Sequence, residues 1–251
     1  ILAASSYLYS YPPQSLFAIG NLISFAVQPT AEKGYEYGSL HFDARNTEIY
    51  DIARARYYFT RAVEIDPSHR NAQHQYARML FLEGDFKGAL EHINIALADD
   101  RPSSPSSYYI RGLIEGFAGN YSASIVDYER YLENDPTNWA ALNDLAWVLL
   151  KDRQYEKAEL ITSRGLEHFP DNPWLRNSRA IARYELGNVI LAHDDLREAR
   201  AAIETITTED WLRAYPGNDP NIAPQGLDAL KKSIQENEER VRVNLASKRD
   251  A

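Results

Sequence analysis

The sequence predicts an all-α fold, a solenoid of about five helix–turn–helix repeats followed by a C-terminal capping helix. Three kinds of residue recur along the chain about every 34 residues, and this period is typical of helical repeat proteins. The small residues, at intervals of 34, 35, 34 and 34, are Ala55, Ala89, Ser124, Ala158 and Ala192. The turns are at Gly84, Gly119, Arg153 and Gly187. The prolines that close the repeats are Pro67, Pro102, Pro136 and Pro170.

The composition is that of a folded globular protein and excludes some functions. Of 251 residues, 44% are hydrophobic and 25% are charged, so the chain can bury a core. The formal charge of −9 gives no general attraction to a phosphate backbone, and nucleic acid is therefore a poor candidate partner. The absence of cysteine excludes disulfides, thiolate nucleophiles and zinc sites built on sulfur.

Residues 1–35 form a distinct N-terminal segment, in which no charge precedes Glu32. Tyrosines follow a short apolar run, as at a membrane interface, but the run is shorter than the roughly 20 residues that span a bilayer. Because the chain starts with Ile1 rather than Met, we expect a membrane anchor just upstream. The alternative is an N-terminal helix or arm that packs on the first repeat. The tyrosines are Tyr7, Tyr9 and Tyr11.

Each repeat is predicted to hold two amphipathic helices of about a dozen residues, since its apolar positions have helical spacing. Glycine lets the chain reverse between the two helices. A small residue allows the paired helices to approach closely, and the proline ends the second helix. The predicted repeats, numbered 1 to 5, span residues 36–69, 70–104, 105–138, 139–172 and 173–206.

This pattern resembles the tetratricopeptide repeat family, whose unit is a helix–turn–helix of about 34 residues. Repeat 4 shows it most fully, with the large–small pair Leu145-Ala146, then Tyr155, Ala158 and Pro170. In repeat 1 only the second helix matches, and repeat 5 lacks its closing proline. The resemblance implies a right-handed superhelix whose concave groove is lined by the first helix of each repeat. Two residues depart from the family pattern, where a large apolar side chain is usual: Arg111 and Arg179.

Two further segments follow the repeats. Residues 207–226 contain three prolines and two glycines, and we expect a loop or an extended connector. Its Trp211 and Tyr215 either form a recognition element or fold back onto the last repeat. Residues 227–251 are predicted to form a helix with a narrow apolar stripe. This helix either caps the solenoid or docks a partner as a coiled coil.

No pattern of a catalytic or metal site stands out in the sequence. There is no phosphate-binding glycine loop, no Gly-x-Ser-x-Gly elbow and no His-Glu-x-x-His pair. The nearest approach to a metal cluster is His193-Asp194-Asp195, but neighbouring residues of a helix point to different sides. The sequence therefore predicts a protein with no enzyme activity, no catalytic residue, no cofactor and no metal.

The resemblance implies a partner-binding groove on the first helices of repeats 2 to 5. Its aromatic and arginine side chains are of the types that dominate interface energies, and its asparagines can hydrogen-bond a peptide backbone. The groove residues carried over from the family are Asn71, His74, Arg78, Tyr109, Leu113, Asn143, Trp147, Lys151, Trp174, Asn177, Ile181 and Tyr184.

One subclass of the family grips a C-terminal carboxylate with lysine, arginine and asparagine side chains. Only two of the matching positions here are even partly basic, His74 and Arg78. The other three are Ile110, Ala140 and Asp144. Recognition of such carboxylate tails is therefore not expected.

The sequence thus predicts a non-enzymatic protein–protein interaction module that holds a peptide or a helix of a protein partner in its groove. The alternative is a scaffold that self-associates, through the C-terminal helix or the N-terminal segment, in a membrane-attached or envelope complex. We expect an extracytoplasmic, membrane-anchored location in a bacterium-like cell rather than a cytoplasmic one.

Overall fold

A computed structural model describes residues 16–45, 47–98, 104–214 and 220–249. Within these ranges every regular element is a helix, which confirms the predicted all-α fold class. The chain divides into two compact units, Ile1–Ser103 and Ser104–Ala251, here called the N-terminal and C-terminal units. The tyrosines of the opening segment, Pro102 and Tyr215 lie outside the described residues. No helix among the described residues has the length and apolar character needed to cross a bilayer.

The N-terminal unit contains five helices in the described residues. They are α1 (Leu16–Val27), α2 (Ala31–His41), α3 (Ile52–Ile65), α4 (Arg70–Leu82) and α5 (Phe86–Leu97). The predicted boundary at residue 36 falls inside α2, because Thr30 caps this helix by accepting a hydrogen bond from the Lys33 amide. Helices α2 and α3 pack closely, since a Cβ at Gly38 would lie 2.5 Å from the Phe59 ring.

The C-terminal unit continues with three helix–turn–helix pairs and a C-terminal helix. The pairs are α6 (Pro105–Phe117) with α7 (Tyr121–Leu132), α8 (Trp139–Lys151) with α9 (Tyr155–His168), and α10 (Pro173–Glu185) with α11 (Val189–Ile203). They are followed by α12 (Thr208–Ala214), a 3₁₀ turn (Pro220–Ile222) and α13 (Ala223–Arg249).

The turn inside each pair uses backbone angles that favour glycine. Gly84, Gly119 and Gly187 have φ values of 81°, 87° and 82°. In repeat 4 the same turn is made by Arg153, with φ 59°, where a side chain raises the cost of the left-handed conformation. The turn position is therefore kept in all four repeats even where glycine is absent.

The core of the C-terminal unit lies between the helices of successive pairs. Large apolar side chains from α7 to α10 fill it, and most of them are almost wholly buried. At the small position of repeat 3, the Ser124 hydroxyl donates to the Gly112 carbonyl at 2.5 Å, so its polar atom has a partner in the core. The main core side chains are Tyr128, Leu142, Leu145, Leu149 and Leu175.

The structure differs from the prediction after repeat 5. Residues 208–214 are helical rather than extended, because Thr207 and Asp210 cap each other across the first turn of α12. Helix α13 begins at Ala223, earlier than the expected start at residue 227. Pro224 lies in its first turn, where an amide donor is not needed, and therefore does not interrupt the helix.

Helix α13 caps repeat 5, as the sequence predicts. It runs antiparallel to α11, since Lys231 pairs with Glu204 just after the end of α11, while Leu245 lies near Gly187 just before its start. Ile234 and Val241 of the apolar stripe are almost wholly buried against α11. The outward face of α13 is polar, as expected of a solenoid end. Its exposed residues include Asp228, Lys232, Gln235, Glu236 and Glu239.

Candidate functional site

The predicted groove residues of repeat 2 lie on α4 of the N-terminal unit. Asn71 is exposed and His74 is partly buried. Burial, with a smaller effect from the Arg78 charge, lowers the pKa of His74 to about 4, so this imidazole is neutral at pH 7. The Arg78 guanidinium lies 4.9 Å from the centre of the Phe42 ring and donates to Gln75. Arg78 is therefore engaged in packing on its own unit.

Two predicted residues of repeats 3 and 4 form polar contacts that join the repeats. The Tyr109 hydroxyl donates to the Asp144 carboxylate at 2.5 Å. Burial raises the pKa of Asp144 to about 6, although hydrogen bonds from Tyr109 and Asn143 act in the opposite direction. The Ser178 hydroxyl in turn donates to the Asn143 amide oxygen at 2.9 Å, which joins repeat 4 to repeat 5. Tyr109 and Asn143 therefore hold neighbouring first helices together.

The C-terminal helices cover much of the predicted groove of repeat 5. Trp174 is 8% exposed and lies between Trp139 and Trp211, with ring centres 5.0 and 6.0 Å away. Trp211 thus folds back onto the last repeat. The Asn237 side chain of α13 donates to Asn177 at 2.9 Å.

Tyr184 of repeat 5 also contacts α13. The Arg240 guanidinium lies over its ring, 4.4 Å from the centre. Trp174, Asn177 and Tyr184, predicted as groove residues, all contact the C-terminal helices. Ile181, from the same helix, is partly buried.

The most exposed aromatic surface on the first helices lies between repeats 3 and 4. We call Phe117, Trp147 and Lys151 the aromatic ridge. The Phe117 and Trp147 rings stack with centres 5.1 Å apart and planes 27° apart, and Phe117 is 53% exposed. The Lys151 ammonium lies 5.8 Å from the Trp147 ring. A Cβ at Gly116 would lie 3.2 Å from Trp147, so glycine lets the indole lie close against α6.

Phe117 is a site residue that the sequence reasoning missed, although the repeat period could have found it. It lies one repeat period before Lys151, which was predicted to line the groove. Leu113, also predicted, lies one turn before Phe117 on α6 and is partly buried. The period therefore identifies the aromatic ridge once one of its positions is known.

The sequence reasoning also missed a pair of ionic contacts inside repeats 3 and 5. Arg111 donates twice to Asp127 at 2.7 Å, and Arg179 donates to Asp195 at 2.9 and 2.6 Å. Arg183 also reaches Asp195, at 2.8 Å. The arginine and the aspartate have the same separation along the chain in both repeats, and this recurrence was a usable signal. Each of the two arginines that depart from the family pattern therefore has an aspartate partner on the second helix of its repeat.

The site offers contact surface rather than an ion-binding cluster. Among the described residues, no group of three histidine or acidic side chains is arranged to hold a metal. A stacked aromatic pair with one exposed ring and a neighbouring cation can bind an extended segment through ring contacts and apolar burial.

Comparisons with known proteins show what part of the chain is similar to. A family model described as tetratricopeptide repeat matches residues 127–159. A comparison with curated protein sequences gives no match. Among solved structures, a crystal structure of MamA is 17% identical, with a TM-score of 0.58, over 69% of this chain and 92% of that one.

Two other solved structures are similar to the same degree. YrrB, described as a TPR protein with an unusual peptide-binding site, is 13% identical, with a TM-score of 0.59, over 82% of this chain and 97% of that one. A MamA structure from AMB-1 is 15% identical, with a TM-score of 0.60, over 70% of this chain and 98% of that one. At these identities the likeness concerns the fold.

Proposed function

Because the chain resembles tetratricopeptide repeat proteins, we propose that it is a non-enzymatic interaction module that binds a peptide or a helix of a partner protein. The binding surface is the aromatic ridge, extended by Leu113 on α6 and Ile181 on α10. These residues belong to the first helices of repeats 3 to 5, the helices that the resemblance assigns to a binding groove.

The observation that carries the proposal is the exposure of Phe117. The residue is 53% exposed, and its ring stacks on Trp147 instead of entering the core. Burying such a ring against a partner removes a large apolar area from water. Tryptophan is also among the residues that contribute most to interface energies. The ridge is therefore suited to an apolar anchor on the partner.

The chemistry of the site also argues for the type of ligand. Asp144 occupies a position where the carboxylate-gripping subclass needs a cation, and Tyr109 and Asn143 hold it in place. An acidic group at this position repels the carboxylate at the end of a peptide. We therefore propose an internal segment or a helix of the partner as the ligand, with an apolar side chain that contacts the ridge.

The test is an affinity capture from lysate of the source cell with the wild-type chain and three variants. Phe117→Ala removes the exposed ring, and Phe117→Ala with Trp147→Ala removes the stacked pair. Leu160→Ala is the matched control, since Leu160 is 68% exposed on α9, a second helix. Circular dichroism and denaturant unfolding check that each form is folded.

We expect a partner that the wild type and Leu160→Ala retain and that both ridge variants lose. A partner that the ridge variants retain and Leu160→Ala loses would place binding on the second helices and contradict the proposal.

The self-associating scaffold is a weaker proposal, because α13 uses its apolar stripe inside its own unit. Deleting residues 227–251 would expose α11, so this truncation is not a clean test of self-association. Sedimentation of the intact chain over a concentration series is better, since a monomer throughout would contradict the scaffold. The extracytoplasmic, membrane-attached location stays a prediction, which fractionation of the source cells can test.

A further inference from the structure

A cleft lies at the starts of the first helices of repeats 4 and 5, at the opposite end of these helices from the aromatic ridge. It has a volume of about 550 Å³ and is bounded by the loop that follows α9, the start of α10 and the helix α12. Trp139 at the start of α8 forms a further wall. We call it the tryptophan cleft. The residues that the argument uses are Trp139, Phe169, Asp171, Trp174, Asp210 and Arg213.

Aromatic rings line the tryptophan cleft and are held firmly. The centres of the Trp139 and Trp174 rings lie 5.0 Å apart with planes tilted by 39°. Trp211 packs on Trp174, with ring centres 6.0 Å apart. Trp211 in turn packs so closely on Gly226 that a Cβ there would collide with its ring. Phe169 adds a partly exposed ring at the edge. The faces of such rings carry negative potential, which attracts cations.

The charged groups of the tryptophan cleft strengthen this preference. The Asp210 carboxylate accepts hydrogen bonds from the amide and the hydroxyl of Thr207, which lower its pKa, so it is ionised at neutral pH. Asp171 is exposed at the rim. The lining cation Arg213 is held by Glu209 at 2.7 Å and by Asp210 at 3.5 Å. The net charge of the whole chain, −9, steers cations in the same direction.

We propose that the tryptophan cleft binds the side chain of an arginine or lysine in a partner polypeptide. The aliphatic part of that side chain packs against the rings of Trp139 and Phe169, behind which the buried Trp174 supports Trp139, and its charged end lies near Asp171 and Asp210. An arginine is the better fit, since its planar guanidinium also stacks on aromatic faces.

This site is separate from the aromatic ridge and does not depend on it. Trp139 and Trp147 lie near opposite ends of α8, a separation that corresponds to about 12 Å along the helix axis. The two surfaces can therefore be tested independently through their tryptophans.

The experiment is a titration of the intact, ¹⁵N-labelled chain followed through its tryptophan indole N–H signals by NMR. The chain has four tryptophans, so single Trp→Phe variants assign the four signals. The probe is the blocked tripeptide acetyl-Gly-Arg-Gly-amide. The control is the same peptide with citrulline, which keeps the shape of arginine without its charge.

We expect the arginine peptide to shift the Trp139 signal in a saturable way and to leave the Trp147 signal in place. The citrulline peptide is expected to have little effect. Asp171→Asn should raise the dissociation constant about threefold, since it removes a rim charge without changing the fold. Equal shifts with both peptides, shifts at Trp147 alone, or no shift at millimolar peptide would overturn the proposal. If the ridge variants kept the captured partner, the proposed binding at the aromatic ridge would be contradicted. The expected outcome of this peptide titration would not change.

Discussion

Repeats 4 and 5 place different chemistry at the same two positions between their paired helices. Repeat 4 has Leu145 on α8, which lies in the core, and Ile161 on α9, which is partly buried and packs against the core. Repeat 5 has Arg179 and Asp195 at the corresponding positions, one repeat period later. The two helices pair in the same way in both repeats, so this arrangement accommodates either two apolar side chains or a buried ion pair at these positions.

The two repeats also differ in how they treat a buried carboxylate. Asp195 is 2% exposed and forms ion pairs with Arg176, Arg179 and Arg183. Arg176 also pairs with Glu198, and Arg183 also pairs with Glu159. Asp144 accepts hydrogen bonds from the neutral groups of Tyr109 and Asn143, and burial raises its pKa to about 6. The buried carboxylate of repeat 5 is therefore stabilised by cations, whereas that of repeat 4 has only neutral hydrogen-bond donors among the described residues.

The largest effect is expected from Asp195→Ala. The substitution leaves three largely buried arginines without their shared acceptor, which should lower the free energy of unfolding by about 3–5 kcal/mol. Urea unfolding followed by circular dichroism measures it. Asp127→Ala in repeat 3 is the comparison, and we expect a smaller loss because Asp127 pairs with Arg111, which is more exposed. A larger loss for Asp127→Ala would contradict this ranking.

Leu145→Ala tests the apolar version of the same contact. Leu145 is 1% exposed in the core of the C-terminal unit. Its truncation removes buried surface and leaves a cavity, so we expect unfolding to become easier by about 3 kcal/mol. The same urea experiment measures it, with the exposed Leu160→Ala as control. A loss below about 1 kcal/mol would mean that the apolar contact matters less than the ion pair.

Asp144→Asn tests how the buried carboxylate of Asp144, whose hydrogen-bond donors are neutral, affects the free energy of unfolding. The pKa of Asp144 rises from 3.8 to about 6 on folding, so the folded chain binds this proton more tightly than the unfolded chain. Wild-type stability should therefore fall as pH rises from about 4 to about 6 and then level off.

The asparagine variant lacks this loss. It should be more stable than the wild type by on the order of 2 kcal/mol at pH 7.5 and about equally stable at pH 4. Urea unfolding at both pH values measures the difference. The same difference at both values would show that Asp144 does not titrate in this range.

The smallest effect is expected when repeat 3 is converted to the chemistry of repeat 4. The double variant Arg111→Leu with Asp127→Ile replaces an ion pair with the apolar pair that repeat 4 carries at these positions. Such replacements are often neutral or stabilising, so we expect a change within about 1 kcal/mol. Urea unfolding measures it, and each single substitution should cost more than the double one. Additive losses would mean that the two positions do not act as a pair.

The helices could be predicted well from the sequence because their signals are local. The turn at Gly119 and the cap of repeat 5 by α13 depend on period, glycine and an apolar stripe, all visible along the chain. The exceptions were also local, since Thr30 and Thr207 cap helices that the pattern had not placed there. Short capped helices carry too few periodic positions to be recognised by periodicity.

The candidate site was predictable only in part. The period placed Trp147 and Lys151 on a first helix, and the same period would have added Phe117. The sequence could not show that Trp174 and Asn177 are covered, because their partners Trp211 and Asn237 lie more than one repeat period further along the chain.

The sequence by itself determined the repeat and its helix pairs, since these depend on spacings within about 34 residues. The tertiary structure alone decided which first-helix side chains stay exposed and which arginines meet Asp195. Those outcomes depend on how distant helices pack, and side chains compete there for the same buried partners. Helix α13 covers repeat 5, whereas the stacked ring of Phe117 lies between repeats 3 and 4 and stays exposed.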